Sequence, residues 1–225
     1  MSSVSEYYKI VEEVFEKYKD KEFLFVGRHS QRWDSVEKIK GKALYTADFT
    51  RLYSKLVYVH SVRTKYAHAL VKSIDTSEAS KYPGVLKVIT ARDIPGINDV
   101  GYVIPDQPLI ADRKVRYVGD IVALVVAEDP LVAREAGELI SVEYEPLPVI
   151  TNPLDIVDLM TLKEKPHVLI HDERGSDILV HYKIRRGDIE KAMREADVKV
   201  EGVYKTPFQE HAYMEPEASI AIPEP

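Results

Sequence analysis

Gln209, Glu210, His211, Glu215 and Glu217 place an amide, an imidazole and three carboxylates within nine positions of the stretch TPFQEHAYMEPEASIAIPEP. An amide can donate a hydrogen bond to a bound group, and imidazole and carboxylate can exchange protons, so the stretch reads as a candidate pocket lining. A polar loop whose side chains satisfy buried backbone groups uses the same residue types, and on spacing alone it is the better account. Other groupings carry less. Arg28, His29 and Arg32 make a basic loop without the glycine-rich cradle that holds a phosphate. His167 and His171 have the i, i+4 spacing that suits a metal on a helix. HVLIH reads as a strand, however, which separates the two rings by about 13 Å at ~3.3 Å per residue, and two imidazoles do not fill a coordination shell. His60 sits within an alternating run and reads as a satisfied strand histidine.

The elements that must position these groups centre on Lys114–Val149. Ile121–Ala127 has no polar side chain and is valine-rich, which predicts a strand covered on both faces. Asp129 then caps a helix with Pro130 at its first position, and Val132, Ala136, Leu139 and Ile140 form its apolar stripe. Ser141–Tyr144 resumes an extended pattern that Pro146 and Pro148 end. The dozen or so intervening residues suffice for a crossover and parallel pairing of the two strands.

Upstream, Ser5–Asp20 predicts an amphipathic helix with Tyr7, Ile10, Val11, Val14, Phe15 and Tyr18 on one face. Asp34 and Glu37 match a capping box, Gly41 a helix end, and Leu44–Tyr45 a strand start. Lys55–Val62, Ala67–Asp75 and Val85–Thr90 alternate as strands, with a helical turn over Ser77–Tyr82. Downstream, His167–Ile170, Val198–Tyr204 and Ala218–Ile222 read as strands, and Asp188 caps a helix through Ala196. Strands alternating with short helices argue for an α/β (α+β) layer fold.

Composition narrows the function classes. A formal net charge of −6 with dispersed Lys and Arg gives no electrostatic case for nucleic acid. No run approaches the roughly 20 apolar residues of a membrane span, and the N-terminus has no apolar signal region, so the expected location is cytoplasmic. With no cysteine, the chain has no disulfide, thiolate nucleophile or iron–sulfur ligand of its own.

Several blocks follow in a fixed order: Arg32-Trp33-Asp34, Lys40–Tyr45, Ala67-His68-Ala69 and Ile74–Ser77. They continue through Asp106–Leu109, Val115–Gly119, Val142–Pro148 and Tyr204–Glu217. Taken together, these blocks resemble the N-terminal part of the large, molybdenum-binding subunit of the xanthine dehydrogenase/aldehyde oxidase family, which includes aerobic carbon monoxide dehydrogenases. The resemblance implies an N-terminal helix and hinge over 1–25, an α/β-hammerhead domain over 26–150, a connecting segment over 151–180 and the start of a molybdopterin-binding domain over 181–225. It places Gln209 and His211 near the cofactor wall as supports, with no catalytic residue and no metal ligand in this chain. The family's glycine-rich cofactor loop has no counterpart among ten glycines that include no Gly-Gly pair.

The resemblance therefore implies a split large subunit. A separate C-terminal molybdopterin-binding chain would complete it, and FAD and iron–sulfur subunits would carry electrons away in a hetero-oligomer. The alternative is a non-catalytic binding or assembly module built on a hammerhead domain, which predicts a stable chain without molybdenum. A self-contained hydrolase using His211 lacks a nucleophile elbow.

Overall fold

The N-terminal periodicity folds as a helix, α1 (Ser2–Tyr18), in the computed structural model, which describes residues 2–161 and 168–223. Residues 162–167, His167 among them, lie outside the described residues, as do the side chains of residues 1–7, Tyr7 included, and of 158–161. Ile10, Val11, Val14, Phe15 and Tyr18 share an apolar groove with Phe23. A second helix, α2 (Ser35–Ile39), follows Asp34, but the expected capping box does not form. Asp34 makes no cap hydrogen bond because Lys38 at 2.5 Å and Arg32 at 3.1 Å hold its carboxylate, and they keep its pKa down at about 2. Leu44–Tyr45 does not start a strand. The chain turns instead at Thr46–Asp48, where Asp48 accepts the Tyr45 N–H at 2.9 Å, and continues as α3 (Phe49–Leu52). Residues up to Ser54 and those from Glu215 onward form one unit, and Lys55–Met214 form the other.

The larger unit holds β1 (Tyr58–Arg63), β2 (Ala69–Asp75), α4 (Ser77–Lys81), β3 (Val85–Ile89), β4 (Lys114–Val115), β5 (Ile121–Ala127), α5 (Pro130–Glu138) and β6 (Ser141–Pro146). These make two three-stranded sheets, β1-β5-β3 and β4-β2-β6, with antiparallel pairing throughout. The expected parallel pairing of β5 with β6 is therefore corrected: α5 carries the chain from one sheet to the other. Strand β5 is central and buried on both faces, as its apolar run demands. Val125 and Ala127 pack with Ala133 and Ala136 of α5, whereas Val122 points the other way, into a cluster with Ala69, Ala111 and Val115. One strand thus ties both layers into a core.

Helix α5 starts as its sequence dictates. Asp129 is extended at the N-cap and accepts the N–H groups of Leu131 at 2.7 Å and Val132 at 3.3 Å, with Pro130 at the first helical position. Asp129→Ala is expected to lower unfolding stability by about 1 kcal/mol, read as a shift of the urea midpoint at constant slope. The buried face consists of Ala133, Ala136 and Gly137, with Ile140 packed beside it, and Leu139 of the predicted stripe is 44 % exposed. The face is turned because small residues let the helix lie close to β1. A Cβ on Gly137 would stand 2.8 Å from His60 Cδ2 and 3.3 Å from Val62 Cγ2.

After β6, α6 (Pro153–Thr161) leads away, and α7 (Ile189–Glu195) is capped by Asp188, which accepts the Lys191 N–H at 3.0 Å. Neither Val198–Tyr204 nor Ala218–Ile222 is a strand here, nor are the described residues 168–170. An alternating segment without a neighbour has nowhere to place its ladder hydrogen bonds. Among the described residues no helix is long and apolar enough to cross a membrane.

Candidate functional site

Gln209 and His211 stand on an exposed segment that has no helix or strand. Glu210 accepts the Ala212 N–H at 3.3 Å, and Ala212 adopts φ 48°, so the backbone bends sharply just beyond His211. The structure does not bring Gln209 and His211 together with other titratable side chains into an enclosed wall. Among the described residues, no group of three or more His, Asp or Glu side chains could hold a metal ion.

What the fold does assemble is a polar cluster around β4. Lys114 and Arg116 are two apart on an extended stretch and so project to the same side, opposite the core residue Val115. Lys114 Nζ donates to the Leu169 carbonyl at 2.9 Å and to Asp172 Oδ2 at 2.7 Å, and Arg116 Nε donates to the Ile170 carbonyl at 3.1 Å. Arg174 donates to Asp106 at 2.6 Å, and the Asp177 carboxylate accepts the Ile170 N–H at 2.9 Å. The Lys114 ammonium beside it lowers the Asp172 pKa. That stabilisation is present above the ordinary carboxylate range and is lost as pH falls through the lowered value. Burial pushes the Asp120 carboxyl up, although it accepts the Arg116 N–H at 3.0 Å.

His68 adjoins this cluster and is 4 % exposed. Its Nδ1 lies 2.9 Å from the Pro148 carbonyl, which can only accept, so Nδ1 carries a proton. Its Nε2 is buried without a hydrogen-bond partner. His68, Asp106, Asn152, His171, Arg174 and Asp177 contribute the polar side of a cavity of about 570 Å³, and Ile150, Ile156 and Ile178 are among its apolar lining. Sequence reasoning singled out none of these contacts. The signal available was the Lys-Val-Arg alternation at 114–116, two cations on one face of a strand, but their partners lie more than fifty positions away.

Two family models match the chain, with bounds that differ from those of the two structural units. Residues 40–148 match the family model described as aldehyde oxidase and xanthine dehydrogenase, a/b hammerhead domain, and residues 170–225 match that of a molybdopterin cofactor-binding domain. A probable xanthine dehydrogenase subunit of Bacillus subtilis is 37 % identical over 193 residues, covering 86 % of this chain and 25 % of its own length. The nicotinate dehydrogenase large molybdopterin subunit of Eubacterium barkeri is 31 % identical over 201 residues, covering 89 % of this chain and 45 % of its own. The crystal structure of the aldehyde oxidoreductase from Desulfovibrio desulfuricans aligns with a TM-score of 0.56 at 31 % identity, over 67 % of this chain and 17 % of that one. The chain thus spans about a quarter of the Bacillus relative and under half of the Eubacterium one. By themselves the residues present do not fit a pterin cofactor: Gln209 and His211 are solvent-exposed, and neither lines the cavity beside His68.

Proposed function

Because this chain belongs to the aldehyde oxidase and xanthine dehydrogenase family, we propose that it is the N-terminal piece of a molybdenum hydroxylase large subunit. The observation that carries this reading is the order of two matches in one chain, a hammerhead domain over 40–148 and then the start of a cofactor-binding domain from 170. The remainder of the molybdopterin-binding domain completes the cofactor site. Within the chain, 1–25 is a helix and hinge, 26–150 the hammerhead, 151–180 the connection and 181–225 the cofactor-domain start.

The reaction class is hydroxylation of an aldehyde or electron-poor ring carbon with oxygen from water. A C–H becomes C–OH, and two electrons and two protons leave. The molybdenum cofactor, when bound, supplies the oxygen transfer and accepts the electron pair. FAD and iron–sulfur subunits then take the electrons in a cytoplasmic hetero-oligomer. In the completed domain Gln209 and His211 line the cofactor cavity and act as hydrogen-bonding supports, and this chain contributes position and shape.

Isolation of the enzyme that contains this chain, followed by metal analysis, tests the proposal. The expected result is stoichiometric molybdenum together with the rest of the cofactor domain. A lone, folded, metal-free chain would overturn it and leave the hammerhead as a non-catalytic binding module.

A further inference from the structure

A tether between two domains needs only length, whereas residues 168–178 are fastened to the hammerhead by charged side chains. The cofactor-domain match begins at residue 170, inside this fastened stretch. Lys114 is 5 % exposed although it faces away from the core side of β4, because residues 169–172 lie over it. Burying an ammonium is costly unless it is paired, and this one has a carbonyl and a carboxylate. The neighbouring carbonyl, that of Ile170, is taken by Arg116, whose Nη1 also donates to the Lys114 carbonyl at 3.2 Å. Arg174 and Asp106, both mostly buried, close the far end at 2.6 Å.

Between these anchors the segment is folded back on itself. Arg174 N–H donates to the His171 carbonyl at 3.1 Å, Gly175 turns at φ 65°, and Asp177 receives the Ile170 N–H. Among the described residues, it joins the hammerhead strands through no backbone-to-backbone hydrogen bond. Among the described residues, side chains hold it.

We infer that Lys114 and Arg116, with the Arg174–Asp106 pair, are positioning residues that clamp residues 168–178 to the hammerhead and so fix where the cofactor-binding domain departs. The inference rests on the proposed function, since only a cofactor domain gives this joint something to position. Two adjacent carbonyls, each held by its own cation, define both the place and the direction of the emerging chain. Misplacement by about 1 Å far from the reacting atoms can lower turnover by up to ~100-fold.

The test uses the complete enzyme with Lys114→Met, which keeps the aliphatic stem and removes the ammonium. The amides of Ile170, Arg174 and Gly175 are expected to exchange with deuterium at least about tenfold faster, because charge-assisted hydrogen bonds that closed the segment are gone. Molybdenum content is expected to stay at the wild-type level while kcat falls at least about tenfold, and Lys114→Arg is expected to recover both exchange and kcat. Unchanged exchange, or faster exchange with unchanged kcat, overturns the inference. If Lys114→Met does not fold, Arg174→Gln carries the same expectation at the more accessible anchor. Wild-type enzyme without molybdenum would defeat the proposed function instead. Exchange in the 225-residue chain would then decide the clamp: tenfold acceleration supports it and no change overturns it.

Discussion

Gly137→Val is expected to destabilise the larger unit by about 3 kcal/mol or more, the upper end of the overpacking range. Even the Cβ atom would meet His60 Cδ2 at 2.8 Å and Val62 Cγ2 at 3.3 Å, and both belong to β1, which cannot retreat without breaking its ladder to β5. Two further methyl groups would press into the same contact, where Ala136 and Ala133 already pack against Val125 and Ala127. Valine has a better helix propensity than glycine, by roughly a few tenths of a kcal/mol, which offsets only a small part of the loss. Urea unfolding of the variant should show a much lower midpoint, with the loss concentrated in the β1-β5-β3 sheet. A midpoint within experimental error of wild type would mean that α5 does not lie as close to β1 as the structure places it.

The other large effect concerns Val198–Tyr204. Val198, Val200 and Tyr204 fall on one side of an extended chain, with Lys199 and Glu201 on the other, and Val203 is 97 % exposed. Apolar alternation of this kind is a strand pattern awaiting a neighbour. In the complete enzyme the amides of 198–204 are expected to exchange at least about a thousandfold more slowly than in the 225-residue chain, as unpaired N–H groups enter a ladder protected by global stability. Val200→Lys puts a charge on the apolar side and should abolish most of that protection while leaving α7, capped by Asp188, intact. Equal exchange rates in the two samples would show that the segment stays unpaired, and the strand reading of these residues would have to be abandoned.

Some of this molecule was legible in local pattern. The apolar run of β5, the Asp129-Pro130 start of α5, the Asp188 cap of α7 and the turn at Gly41 depend on neighbours within about four residues, and the structure has each where the pattern puts it. Asp34 shows the limit of such reasoning. The Asp34-Glu37 spacing fits a capping box, but Lys38 and Arg32 compete for the same carboxylate and win it.

The partners of each element were decided only in three dimensions. A buried strand pattern says that two faces must be covered, but it does not name the neighbours, so β5 and β6 fit a parallel crossover as well as the two antiparallel sheets that formed. The polar cluster is a stronger case. Lys114 and Arg116 read as ordinary surface cations until residues 169–172, more than fifty positions later, fold across them. Conversely, Gln209 and His211 stood out by residue type, yet the fold leaves them in solvent because the walls of a pocket come from distant chain segments. Spacing along the chain determined which helices and turns form, since their hydrogen bonds are local. Sheet membership, the buried lysine and the cavity beside His68 were set by contacts whose sequence separation carries no periodic signal.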